Sequence, residues 1–257
     1  MRRILFLACL LATSAFAQEC RVASGPRTTA LVELYTSEGC SSCPPADRWL
    51  SGLGGAGSPQ RFVPVAFHVS YWDYIGWKDR YADVRFTERQ RTLAAAAGAR
   101  GVYTPQVLLG GRDFRAWPSE RLVRDGIEAI NRIAPRASID VRSRPKPGGG
   151  VIAVVSAEAL PGVEARHLSL MAVLTQDAIA SRVTAGENRG ELLRHDFVAR
   201  DMAMSRRFEA GAPARASLLA EFTSRADWAP DRMALVAFVQ DTRTGEVLQA
   251  LSAPLCR

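Results

Sequence analysis

The chain has 257 residues, 47% of them hydrophobic, and its 33 basic and 26 acidic side chains give a net charge of +7. That hydrophobic share excludes a disordered chain, and no long uncharged apolar run follows the first residues, which excludes a later membrane span. Of the basic residues only Lys78 and Lys146 are not arginine, and the arginines are interleaved with acids in every segment, so no nucleic-acid partner is expected.

The opening stretch MRRILFLACLLATSAFA pairs two arginines with an apolar run over residues 4–12 and the small-residue pattern Ala15-Phe16-Ala17. This is the layout of a secretory signal peptide, residues 1–17, cleaved after Ala17. The run is far shorter than the roughly 20 residues that span a bilayer. Gln18-Glu19 before Cys20 is no lipid-attachment context. The expectation is an exported, periplasmic or secreted chain with no stable membrane insertion. Cleavage leaves 240 residues (257 less 17), enough for one large domain or two modest ones.

Cys9 departs with the leader, leaving Cys20, Cys40, Cys43 and Cys256. An even number in an oxidising compartment suggests two pairs, with three possible connectivities. A Cys20–Cys256 bridge would close a loop of more than 200 residues, an effect of about 5 kcal/mol in the loop-closure account. The reading favours Cys20–Cys256 as structural and Cys40/Cys43 as chemically active. The alternative is that all four are structural.

Residues 29–35, TALVELY, read as a buried strand. The cysteine turn follows, and then a helix over residues 44–53, since proline suits a helix's first turn and Asp47 lies near the positive end of the dipole. RFVPVAFHVS is the next strand, with His68 near its end, followed by the aromatic stretch YWDYIGWKDRYAD. A helix is expected from Thr87 to about Ala97, then Thr104-Pro105, a strand over 106–109 and a Gly-Gly turn. A Ser119 cap opens an amphipathic helix with Leu122, Ile127, Ile130 and Ile133 on roughly one face. SRPKPGGG, residues 143–150, looks like a long turn or a subdomain boundary. Beyond it VIAVVSA, HLSLMAVLT, SLLAEFTS, MALVAFVQD and EVLQALSA read as strands, several with one wet face.

A C-x-x-C turn between a strand and a helix is the arrangement of thioredoxin-like redox proteins. Unpaired N–H groups at the helix start favour a thiolate, and the second cysteine can resolve a mixed disulfide. Cys40 is expected to be the nucleophile and Cys43 the resolving thiol.

Residues 29 to about 135 resemble the thioredoxin fold. The stretches TSEGCSSCPPAD, HVSYWDYIGWKD, YTPQ and GENRG look like a family of bacterial exported proteins of unknown function that carry it. The resemblance implies an α/β fold class: a thioredoxin-like domain, 18–140, with a central mixed sheet flanked by helices. A mostly antiparallel β part, 141–257, would pack on it. It also implies that Pro105, after Thr104, is cis and faces the thiols. The chain departs from thioredoxins in having Gly39 where they have tryptophan. Leu34 stands where they have a buried acid, with Glu33 one position off and on the other face. Glu38 would raise the Cys40 pKa by like-charge repulsion, and Pro44 and Pro45 would make Cys43 the helix cap, with Cys40 in the loop.

Among the neighbours, His68 is a candidate base or metal ligand, or a hydrogen-bonded histidine at a sheet end. Tyr71, Trp72, Tyr74 and Trp77 would line a peptide groove or pack a loop on the core. Asp73 and Asp79 read as solvated loop carboxylates. His195, close behind GENRG, would bridge the two parts, and His167 reads as structural.

The function expected is thiol–disulfide exchange between Cys40/Cys43 and a partner protein, with no cofactor. One alternative is a Cu(I) module using Cys40, Cys43 and His68, and another is a scaffold with a permanent disulfide.

Overall fold

A computed structural model describes residues 19–53, 62–203 and 205–256; the expected signal peptide lies outside them. The first half holds β1 (Cys20–Ala23), β2 (Ala30–Thr36), α1 (Pro44–Leu53), β3 (Phe62–His68), α2 (Val84–Ala96), β4 (Gln106–Leu109), β5 (Arg112–Asp113) and α3 (Glu120–Asn131). Then come β6 (Ala137–Pro145), β7 (Gly150–Ala159), β8 (Leu168–Gln176), β9 (Ile179–Arg182), β10 (Leu192–His195) and β11 (Val198–Met202). The chain ends with β12 (Arg206–Arg207), β13 (Arg215–Thr223), β14 (Met233–Asp241) and β15 (Val247–Pro254). The architecture is mixed α/β, rich in strands and poor in helices. None of the described helices is long and apolar enough to cross a membrane.

Among the described residues, nine strands form the main sheet, in the order β15-β14-β8-β11-β3-β2-β4-β5 with β12 alongside β8. β3 is parallel to both β2 and β11, and the remaining pairs are antiparallel. The sheet therefore draws its strands from both sides of residue 140. A second, antiparallel sheet, β1-β6-β7-β13, covers one face of its β8–β14–β15 end. On that same face, α1 and α3 cover β2, β3 and β4 through Ala46, Leu50, Val123 and Ile127. α2 covers the opposite face through Phe86 and Leu93. β2 is buried at every position because both of its faces are covered.

The 143–150 stretch takes the first of its two readings, a turn: β6 pairs with β7 up to Pro145↔Val151, and the turn lies between them. Two expectations need correction. α2 begins at Val84, where the Asp83 side chain accepts the Arg85 N–H. α3 has its Ser119 cap, but it buries Val123 and Ile127 while Leu122 and Ile133 are 38% and 45% exposed. Positions 123, 127 and 130 follow the i, i+4, i+7 spacing of one helical face, whereas 122 and 127 are five apart. Gly126 lies on the packed side, where a Cβ would meet Leu109 Cδ2 at 2.7 Å.

Cys20, at the start of β1, is bonded to Cys256, 236 residues away. Serine at both positions is expected to lower unfolding stability by about 2–5 kcal/mol, the usual range for a native bridge. Urea unfolding of the oxidised double variant measures this, and an unchanged midpoint would contradict it.

Candidate functional site

Cys43 and Cys40 are joined at the junction of β2 and α1. The local backbone follows from the sequence. Pro44 and Pro45 fill the first turn of α1, and the Cys43 carbonyl accepts the N–H groups of Ala46 and Asp47 at 2.9 and 3.1 Å. Cys43 is thus the helix cap and Cys40 stands in the preceding turn. Ser41 and Ser42 between them are exposed, yet Cys40 is 1% and Cys43 0% exposed.

Thr104 and Pro105 lie beside the disulfide. The Thr104 hydroxyl donates to Cys40 Sγ at 3.4 Å and accepts the Trp72 indole N–H at 2.7 Å. The Thr104–Pro105 peptide is cis. Position 39 has no room for a large side chain, since a Cβ there would meet Trp72 Cβ at 3.2 Å and Ile75 Cδ1 at 3.3 Å. Trp72 therefore takes the space beside the cysteines. Tyr71 sets its hydroxyl on Gln90 of α2 at 3.2 Å and beside Thr104, so it stays at the edge of the site, and Tyr74 is exposed. Trp77 donates its indole N–H to Glu38 Oε2 at 2.8 Å.

A buried polar cluster is built onto this turn. Glu38, two residues before Cys40, turns its carboxylate to Trp77 and to His195 Nε2 at 3.3 Å, and its N–H donates to Asp79 Oδ2 at 2.9 Å. Asp79 also holds His68 Nδ1 at 2.7 Å and accepts the Tyr81 N–H at 2.9 Å. Asp79 is buried, contrary to the solvated carboxylate expected, because His68 at the end of β3 supplies its counter-charge. Asp73 accepts the Asp79 N–H at 3.2 Å. Asp47 accepts the Thr36 hydroxyl at 3.2 Å and faces His195 Nδ1 at 3.9 Å. The His68 and His195 rings meet edge to face, centroids 5.0 Å apart.

These acids and bases hold one another's charges. Burial opposes a charge on His68, but Asp79 above all, with Asp47 and Glu38, pushes its pKa up to about 9. Burial likewise raises the Asp79 and Glu38 carboxyls, yet His68 holds the first and His195 the second below the ordinary range. Asp47 is different: burial prevails over the attraction of the two histidines and raises it.

GENRG supplies contacts that its sequence did not announce. Asn188 donates to the carbonyls of Glu38 and Cys40 at 2.8 and 3.0 Å, and Glu187 accepts the Ser41 N–H at 2.9 Å. The loop thus grips the cysteine turn from outside. Its nearness to His195 in sequence was the available signal. His167 sits just before β8, with its carbonyl on Thr242, and takes no part. Of the copper set, the two sulfurs are bonded to each other, and among the described residues His68 groups with Asp47 and His195 instead.

Residues 31–240 match the model of a family described as "Protein of unknown function (DUF1223)". Among solved structures the chain is similar to a structural-genomics protein from Agrobacterium tumefaciens, at 25% identity and a TM-score of 0.61, over 89% of this chain and 94% of that one. It is also similar to HBP35 of Porphyromonas gingivalis, at 14% identity and a TM-score of 0.65, over 90% of this chain and 76% of that one. The second likeness is one of fold alone. No curated protein matches.

Proposed function

We propose that this chain, which belongs to the DUF1223 family, is an exported, thioredoxin-like protein whose Cys40–Cys43 pair exchanges electrons with the thiols of a partner protein. The observation that carries this reading is the disulfide at the strand-to-helix junction, with Thr104 of a Thr-Pro step against Cys40 Sγ. The order strand, C-x-x-C, helix, strand supports the thioredoxin-like reading, and Gly39 is the departure that Trp72 compensates. Two disulfides suit an oxidising compartment and agree with the leader-like first residues.

In the reduced state the Cys40 thiolate attacks a partner disulfide. That bond breaks, one partner sulfur leaves as thiolate, and a mixed disulfide forms. The Cys43 thiolate, at the start of α1 where the first N–H groups favour negative charge, then attacks Cys40 Sγ and releases the second partner thiolate. The partner gains two electrons and the pair is oxidised; the reverse sequence oxidises the partner. No cofactor enters either direction.

Equilibrating the protein with glutathione buffers and trapping free thiols tests the reading. A potential between about −120 and −270 mV is expected, the span of known exchange proteins. A pair still oxidised below about −300 mV would be structural, and the exchange function would be withdrawn.

A further inference from the structure

We propose that Asp47, His68 and His195 bind a divalent first-row transition-metal cation, at a site separate from the disulfide sulfurs. The three residues come from the first turn of α1, the end of β3 and the end of β10, so no local structure requires them to meet. They are all buried, and one ligand atom from each lies within 4.8 Å of the others.

Two further observations point to a missing ligand. Among the described residues, His68 Nε2 and His195 Nδ1 are buried without a hydrogen-bond partner. Buried polar atoms are seldom left so, and here two belong to neighbouring rings. In addition, each ring's other nitrogen is held by a carboxylate: His68 Nδ1 by Asp79 at 2.7 Å and His195 Nε2 by Glu38 at 3.3 Å. A carboxylate behind each imidazole is the outer shell that fixes ring orientation in metal sites and raises ligand basicity. The outer shell is itself anchored, Glu38 by Trp77 and Asp79 by the N–H groups of Glu38 and Tyr81. Asp47 is steadied by Thr36.

The donor set chooses the cation class. Two imidazoles and a carboxylate, with no thiolate, suit Zn²⁺ or Fe²⁺ over the softer Cu(I) and over Ca²⁺ or Mg²⁺, which prefer all-oxygen sites. At metal distances of roughly 2.0–2.2 Å, tetrahedral ligand atoms stand roughly 3.3–3.6 Å apart, so from at most 4.8 Å the side chains need to close by roughly 1.5 Å at most. A cleft of about 450 Å³, lined by Ser41, Pro44, Asn188, Asp47 and His195, gives access. A ligating imidazole is neutral, so binding would release a proton from His68, and the 2+ charge would take its place opposite the carboxylates of Glu38, Asp47 and Asp79.

The test is titration of the tag-free, oxidised chain with Co²⁺, followed by displacement with Zn²⁺. One equivalent of Co²⁺ with visible d–d absorption is expected, along with unchanged binding in a Cys40→Ser/Cys43→Ser variant. His195→Gln and Asp47→Asn should each bind at least tenfold more weakly, and Glu38→Gln roughly 10- to 100-fold more weakly. Should those variants fail to fold, the wild type decides: Zn²⁺ should shift the ring-nitrogen resonances of His68 and His195 and leave those of His167 in place. No uptake by the folded wild type would overturn the proposal. So would binding that Cys40→Ser/Cys43→Ser abolishes, or a Zn²⁺ response confined to His167. Because the cysteines stay bonded or absent throughout, failure here is separable from failure of the exchange function.

Discussion

Cys43→Ser is expected to trap Cys40 in mixed disulfides that persist for minutes to hours, the lifetime of disulfides that must rearrange without a neighbouring thiol. In the wild type the second thiolate is three residues away and resolves the complex intramolecularly. The reciprocal variant, Cys40→Ser, should behave differently. Both cysteines are covered in the oxidised chain, Cys40 at 1% and Cys43 at 0% exposure, so their place in the backbone separates them. Cys43 is fixed as the cap of α1, with two helical N–H groups on its carbonyl, whereas Cys40 stands in the turn before the exposed Ser41 and Ser42. That turn can open without unwinding the helix, so the Cys43 thiol should react with oxidised glutathione at least about tenfold more slowly than the Cys40 thiol of Cys43→Ser, since reactivity requires access as well as thiolate character. Mass spectrometry of the glutathione adducts over time measures both rates. Equal rates would remove the assignment of Cys40 as nucleophile, and no adduct on either variant would count against exchange altogether.

Arg89→Met is expected to destabilise the fold by about 3–5 kcal/mol, the cost of leaving a buried charge without its partner. Arg89, on α2, reaches across the sheet to Glu33 of β2, with Nη2 and Nε at 2.8 and 3.0 Å from Oε2, and to Gln240 of β14 at 2.9 Å. Its guanidinium also stacks over Phe238 and Phe67, at 4.9 and 5.7 Å from the ring centroids. Among the described residues, Glu33 has only Arg89 and the Tyr35 hydroxyl on Oε2, and Oε1 has no partner. The double change Glu33→Leu/Arg89→Met should recover most of the loss, because two apolar groups leave no charge to desolvate. Urea unfolding of the single and double variants settles the point. A single-variant loss under 1 kcal/mol would mean that water reaches Glu33.

The segments that name their own conformation were legible in the sequence. Pro44-Pro45 after a β-branched strand gives α1, and Ser119 gives the start of α3, because caps and prolines act within one turn. β1, β5, β6 and the short strands β9 to β12 were not seen. β5, β9, β10 and β12 hold four residues or fewer, too few to show a period. β6 pairs with its neighbour β7 and β9 with β10, whereas β1 and β11 take partners far along the chain, in β6 and β3. The same holds for the site. The cysteines stood out by spacing and Thr104-Pro105 by the resemblance to the thioredoxin fold, whereas Asp79 reads as solvated until His68 is seen to face it. Glu33 was expected on the face opposite Leu34; it is there, and what the sequence withheld was Arg89, 56 residues on.

The bridge between Cys20 and Cys256 also changes what a cut does. With β1 bonded to the second residue past β15, the chain between the two cysteines is topologically a ring, and one peptide-bond cleavage in any turn inside it opens the ring without releasing a fragment. A nick in the β6–β7 hairpin, for instance, yields a permuted chain whose old ends are still joined, and the sheets lose no strand. Two cuts are needed before anything leaves. The protein therefore tolerates a first proteolytic event as a change of connectivity and not as a loss of material.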